Sequence, residues 1–272
     1  MSPFPPQAPL RVRTVFISDV HLGFNGCRAG FLLDFLRRVE CETLYLVGDI
    51  IDLWSLERSF YWPQQHNDVV RTVLAKARDG TRVVYVPGNH DRAFRDYDGW
   101  VLGNVEIRRE ALHQVADGRR FLVLHGDEFD SVIRASPLLE SLGNGAYGFV
   151  LQLNRWFNDV RQRFGYPYWS VAAFLKHRVR NAVGYISNFE RAVAFEARRR
   201  GVDGMICGHI HRAGIAEIEG VVYCNDGDWV ENCTALVEDA QGRLSLLRWT
   251  ESVEVLSAGD ACATGVTLGH AA

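Results

Sequence analysis

Apolar and polar positions follow two styles along the chain. Early on, short apolar runs are separated by stretches with helical spacing. Arg13–Ser18 (RTVFIS) is β-branched and apolar and stops at a polar turn, which predicts a buried strand. Gly30–Val39 places Phe31, Leu32, Phe35 and Leu36 at the spacing of an amphipathic helix. Thr43–Val47 (TLYLV) predicts a second strand, 67–78 a helix closed by Asp79-Gly80, and Thr81–Val86 a third strand ended by Pro87-Gly88. This alternation implies parallel strands joined by helical crossovers. Beyond it the elements shorten. Asn104–Ile107, Ala111–Val115 and Arg120–Leu124 read as strands, with a hairpin turn at Asp117-Gly118. Gly204–Cys207, Gly214–Ile218, Val221–Cys224, Thr234–Val237 and Leu244–Leu247 repeat that style, with turns at Glu219-Gly220 and Gln241-Gly242. The class is α/β: two mixed sheets packed face to face, with helices outside.

Between these halves the pattern is helical and aromatic: Leu138–Leu142, Tyr147–Phe164, Trp169–Val183 and Tyr185–Arg200, broken by Pro137, Gly143-Asn144-Gly145 and Gly165-Tyr166-Pro167. Residues 1–130 and 201–250 thus form the core, 131–200 a helical insertion or lid, and 251–272 a small-residue tail expected to be flexible. No repeat recurs at a fixed period.

Composition narrows the picture. The 272 residues are 47% hydrophobic and 23% charged, enough for a sizeable core. The net charge of -3 argues against a wholly basic nucleic-acid binder. Charge is uneven, however: residues 151–200 carry +7 and the remainder -10. Six cysteines show no C-x-x-C pair, which suits a reducing cytosol. Met1–Leu10 is Pro-rich and does not read as a signal peptide, and no stretch approaches the roughly 20 apolar residues of a membrane span.

Five motifs carry the chemistry: Asp19-Val20-His21, Gly48-Asp49-Ile50-Ile51-Asp52, Gly88-Asn89-His90-Asp91, His125-Gly126-Asp127 and Gly208-His209-Ile210-His211. Each follows an expected strand, where open α/β sheets bind ligands. Asp19 and His21 supply a hard oxygen and an imidazole nitrogen to one point. Asp49 can bridge two cations, whereas Asp52 can cap the next turn or brace a histidine. Asn89 offers a neutral oxygen, glycine permits close backbone approach, and His125, His209 and His211 add imidazoles. His90 is free to face a phosphate or give a proton to a leaving oxygen, with Asp91 able to orient it. A lone histidine at a strand end is usually hydrogen-bonded, and a lone Gly-Asp is usually a turn. The conjunction overturns that reading, since five of the nine histidines fall in these motifs. Two divalent ions roughly 3.5–4 Å apart would activate a bridging water for attack on phosphorus, without a covalent protein intermediate. Mixed nitrogen and oxygen ligation suits Mn²⁺, Fe²⁺ or Zn²⁺ better than Mg²⁺.

In these motifs the sequence resembles the calcineurin-like metallophosphoesterase superfamily over residues 19 to 211. The resemblance implies a four-layer αββα sandwich of two mixed β-sheets with a dinuclear centre. It assigns Asp19, His21, Asp49 and His211 to one ion and Asp49, Asn89, His125 and His209 to the other, with His90 catalytic. Within the superfamily, Leu46–Trp54, the helical insertion and Gly208–His211 look like the UDP-2,3-diacylglucosamine pyrophosphatases of lipid A synthesis. Those enzymes release UMP and 2,3-diacylglucosamine 1-phosphate. Their best-known branch has arginine where this chain has His90. A cap with apolar lining and basic rim would fit such a lipid-linked nucleotide, with Arg92, Arg155, Trp156, Arg161, Arg163 and Lys176 as candidate substrate contacts. The expected setting is cytoplasmic, peripheral on the inner membrane, with no nucleic acid bound. The alternatives are another nucleotide or phosphodiester substrate, or a non-catalytic scaffold of the same fold.

Overall fold

The computed structural model describes residues 9–130 and 180–258. Strand β1 (Leu10–Ile17) is buried on both faces near its end, with Val15 and Ile17 in one apolar cluster and Phe16 in another. Successive side chains of a strand point to opposite faces, so a run apolar at every position places the strand between two packed layers. Strand β2 (Val39–Val47) divides likewise, Leu44 and Leu46 on one side and Tyr45 and Val47 on the other. So does β3 (Arg82–Val86), with Val83 and Tyr85 opposed to Val84 and Val86. β1, β2 and β3 pair in parallel. Their crossovers are helix α1 (Ala29–Arg38) and the pair α2 (Leu53–Arg58) and α3 (Gln64–Arg78).

The chain continues through β4 (Val101–Leu102), β5 (Val105–Ile107), β6 (Ala111–Gln114) and β7 (Arg120–Val123). After the insertion come α4 (Arg180–Arg200), β8 (Gly204–Cys207), β9 (Gly214–Ile218), β10 (Val221–Asn225), β11 (Thr234–Glu238), β12 (Leu244–Trp249) and β13 (Val253–Ala258). One sheet has eight strands in the order β13-β12-β11-β1-β2-β3-β5-β4, and the other five in the order β6-β7-β8-β10-β9. Both are mixed, as expected. Helices α1 and α3 cover the outer face of the larger sheet through Leu32, Phe35, Val69 and Val73. Phe16, Tyr45 and Val84 meet Phe121, Val123 and Ile206 between the sheets. Phe189, Val193 and Ala197 of α4 close the outer face of the smaller sheet over Leu122, Met205 and Tyr223. These are the four layers of an αββα sandwich.

Some elements depart from expectation. β2 starts four residues before Thr43, because Val39–Cys41 pairs with Leu10–Val12 while Glu40 and Glu42 interrupt the apolar run. Helix α2 was not expected. The tail expected to be flexible from 251 instead opens with β13, which pairs antiparallel with β12 along Val253–Ala258. The helices expected over 131–179, and the rest of the tail beyond Ala258, lie outside the described residues. Among those described, no helix is long and apolar enough to cross a membrane.

Candidate metal centre

The motif residues converge at the C-terminal ends of β1, β2, β3, β7 and β8. The loops after β1 and β2 run side by side, since the Asp19 amide donates to Gly48 O at 3.0 Å and the His21 amide to Asp49 O at 2.8 Å. Both loops turn through unusual backbone. Asp19, His21, Asp49, His209 and His211 all have positive φ, between 50° and 68°, the left-handed region that disfavours a side chain. Glycine serves the other close approach. A methyl group at Gly88 would collide with Asp49 Oδ1 and the His125 ring.

Each carboxylate divides its oxygens between the protein and the cluster. Asp19 Oδ2 accepts from Ser18 Oγ at 2.6 Å and from the His209 amide at 2.8 Å, while Oδ1 faces His211 Nε2 at 3.0 Å and His21 Nε2 at 3.8 Å. Asp49 Oδ1 accepts the His90 amide at 2.8 Å. Its Oδ2 faces Nε2 of three imidazoles: His125 at 3.4 Å, His21 at 3.9 Å and His90 at 4.0 Å. The longer separations exceed hydrogen-bond reach. Two ligands each about 2.0–2.2 Å from one ion stand at most about 4.4 Å apart, so these gaps suit a shared cation. His125 Nδ1 sits 2.9 Å from Val47 O, which fixes the proton there and turns the Nε2 lone pair to the cluster. Buried Asp19 Oδ1, Asn89 Oδ1, His125 Nε2 and His211 Nδ1 have no hydrogen-bond partner, an arrangement costly unless something else binds them. All four atoms are on expected ligands of hard or borderline type, and the donor set fits divalent ions.

The electrostatics agree. Burial alone would lower the His21 imidazole, but the neighbouring Asp19 carboxylate, the bond to Asp52 and the Asp49 charge outweigh it and raise it to about 10. Burial would raise Asp49, yet His125 and His21 hold it well below the usual carboxylate range. A metal ion bound here would compete with such a proton for the ligand nitrogen.

Asp52 does both things anticipated for it. It caps α2 by accepting the Ser55 amide at 2.8 Å, and it lies 3.2 Å from His21 Nδ1 and 3.0 Å from His90 Nδ1. The expectation that Asp91 orients His90 is therefore corrected: that partner is Asp52. Asp91 is fully buried and takes amides of Asp49, Ile50, Ile51 and Gly88 and the Tyr85 hydroxyl, bracing the β2 and β3 loops rather than touching the ring. His209 lies beside His125, ring centroids 5.1 Å apart, but its Nε2 meets Asp130 at 2.9 Å. Its place as a ligand requires Nδ1, or release of that contact.

A cleft of about 860 Å³ opens beside His90 and Asn89, walled by Trp54, Glu57, Arg92, Asp96 and Arg109. Trp54 lies over the His90 ring at a centroid distance of 4.2 Å. Arg95 is spent on Asp127 and Pro87 O. Arg155, Trp156, Arg161, Arg163 and Lys176 lie outside the described residues. The described end of that basic segment is internally paired, Arg198 with Glu219 and Arg200 with Glu110 and Glu196. Sequence reasoning missed Ser18 and Asp226, although Asp226 follows an apolar strand just as the predicted ligands do.

Curated relatives align over most of the chain. A UDP-2,3-diacylglucosamine hydrolase of Serratia proteamaculans is 26% identical over 233 residues, covering 76% of this chain and 85% of its own length. One from Xanthomonas oryzae pv. oryzae is 26% identical over 251 residues, covering 84% and 96%. Among solved structures, a phosphoesterase from E. coli covers 90% of this chain and 97% of its own, at 14% identity and a TM-score of 0.48. The family model for calcineurin-like phosphoesterase matches residues 12–213. The chain belongs to the calcineurin-like phosphoesterase family and is a metal-dependent phosphohydrolase.

Proposed function

We propose that the chain hydrolyses the pyrophosphate of UDP-2,3-diacylglucosamine, releasing UMP and 2,3-diacylglucosamine 1-phosphate. The carrying observation is the convergence of ligand atoms from Asp19, His21, Asp49, His125 and His211 beside His90, with Asp19 Oδ1, Asn89 Oδ1 and His125 Nε2 left without hydrogen-bond partners. The names of relatives 26% identical support the choice of substrate. The acyl chains of such a substrate favour action at the cytoplasmic surface of a membrane.

Asp19, His21, Asp49 and His211 would hold one divalent ion, and Asp49, Asn89, His125 and His209 the other. Mn²⁺ suits this set best, with Fe²⁺ or Zn²⁺ compatible. Such ions, when bound, supply an activated water and positive charge against the phosphoryl oxygens. The chain does the rest. Asp52 holds His90 through Nδ1, so that Nε2 faces the reacting phosphate and can protonate the leaving oxygen. Trp54 covers one side of that ring, limiting its rotation and excluding water. Arg92 has no protein partner among the described residues and stands in the cleft wall, placed for the second phosphate.

The charged lining of the cleft favours a second reading, a lipid-free nucleotide or phosphodiester substrate. Purified chain with Mn²⁺ should release UMP from UDP-2,3-diacylglucosamine faster than from UDP-N-acetylglucosamine. The reverse preference would select the second reading. His90→Ala should lower kcat by about 10²–10⁴-fold, and an unchanged kcat would remove His90 from the mechanism.

A further inference from the structure

Ser18 Oγ stands 2.6 Å from Asp19 Oδ2 and 2.6 Å from Asp226 Oδ1, with Gly227 O at 3.2 Å. All three side chains are buried, Asp19 and Asp226 completely. A serine hydroxyl carries one proton, so it can donate to only one of the two carboxyl groups. The other oxygen can stand at 2.6 Å only if it brings a proton of its own. Asp19 Oδ2 already accepts the His209 amide, which suits a charged carboxylate. The spare proton therefore belongs on Asp226. Its second oxygen, Oδ2, is buried without a partner. That is tolerable for the carbonyl oxygen of a neutral acid and costly for a carboxylate. Burial and the nearby Asp19 charge push the Asp226 carboxyl well above its ordinary range, in agreement.

The chain of contacts joins the two sheets. Ser18 follows β1 of the larger sheet, and Asp226 follows β10 of the smaller. The Asp226 amide donates to Cys207 O at 3.1 Å, and the Thr234 hydroxyl donates to Asp226 O at 2.8 Å. Its backbone is thus held on both sides. Gly208 lets the β8 loop press against Ser18 and Asp19, where any side chain would collide.

We propose that Asp226 is a positioning residue for the metal centre: as a neutral acid it donates to Ser18, which donates to Asp19 Oδ2 and so aims Asp19 Oδ1 at the ion. The proposal rests on the two-metal reading of this site. Mn²⁺ titrated calorimetrically into the metal-stripped full chain tests it without reference to turnover. Asp226→Ala and Ser18→Ala should each weaken the affinity by about 10–100-fold, and the double variant should bind no worse than either. Asp226→Asn, neutral and still a donor, should retain wild-type affinity. If Asp226→Asn binds as weakly as Asp226→Ala, the charge rather than the donated bond matters, and the proposal is overturned. Wild-type affinity in Asp226→Ala also overturns it. Should Asp226→Ala not fold, weakened binding by Asp226→Asn or unchanged binding by Ser18→Ala overturns it instead. A wild-type chain that takes up no Mn²⁺ would sink the two-metal reading itself.

Discussion

Asp52 faces two imidazoles at once, Oδ2 toward His21 and Oδ1 toward His90, and Oδ1 also takes the Ser55 amide that starts α2. Its negative charge favours a proton on both Nδ1 atoms, which leaves both Nε2 atoms facing inward. Asp52→Asn should keep the cap, since asparagine caps helices as well as aspartate does. It should nevertheless lower Mn²⁺ affinity and kcat together, each by about 10–100-fold, with little change in Tm. Calorimetry and turnover on the same sample would check this, and a loss in Tm without either effect would count against it. That carboxylates and imidazoles would gather at these strand ends was legible in the sequence, because their chemistry is a property of the residue. The orienting partner of His90 was not. Asp91 is its neighbour in the chain, whereas Asp52 reaches it across the loops of adjacent parallel strands.

Glu238 ties one element to another across the sandwich. At the end of β11 in the larger sheet, it accepts from the Ala116 amide and lies 2.8 Å from His113 Nε2 on β6 of the smaller. Arg13 of β1 pairs with it as well. Burial would raise its carboxyl, but the bonds from His113 and the Ala116 amide win and hold it at about 2. The folded value lies below the ordinary one near 4.3. The resulting stability is therefore fully present above that ordinary value and is lost as pH falls toward 2. Glu238→Gln should lower Tm at neutral pH and flatten its fall between about pH 4.5 and 2, measurable by calorimetric scans across that range. The strands themselves were legible wherever both faces were apolar, as in Tyr45–Val47. They were hidden where exposed polar residues alternate, as at Glu40 and Glu42, or where an edge strand such as β13 is largely exposed. The short α2 escaped because its start depends on the Asp52 cap rather than on periodicity.

For the molecule as a whole, ions bound by residues from five strand ends should act as a clasp. Saturation at 100 times Kd adds about 2.7 kcal/mol to stability. For a chain of this size, Tm should then rise by roughly 5–10 °C with Mn²⁺ and fall back with chelator. A Tm indifferent to both would argue that the fold does not hold ions. The four layers and the site's position were readable because strand–helix alternation fixes which strand ends share an edge. The substrate was not, because the basic, aromatic segment that would meet it has no periodic chemistry of its own.

The left-handed backbone at Asp19, His21, Asp49, His209 and His211 bears on how this lineage can change. Each of those turns would be adopted more cheaply by glycine, by roughly 1–2 kcal/mol per residue. Catalysis and the bonds that Asp19, Asp49 and His209 make around them keep the costlier residues in place. Descendants released from catalysis should drift to glycine there wherever the relief of the backbone exceeds the loss of those bonds. Glycine at these five positions would then serve as a fossil mark of lost catalysis, readable in a genome before any assay is run.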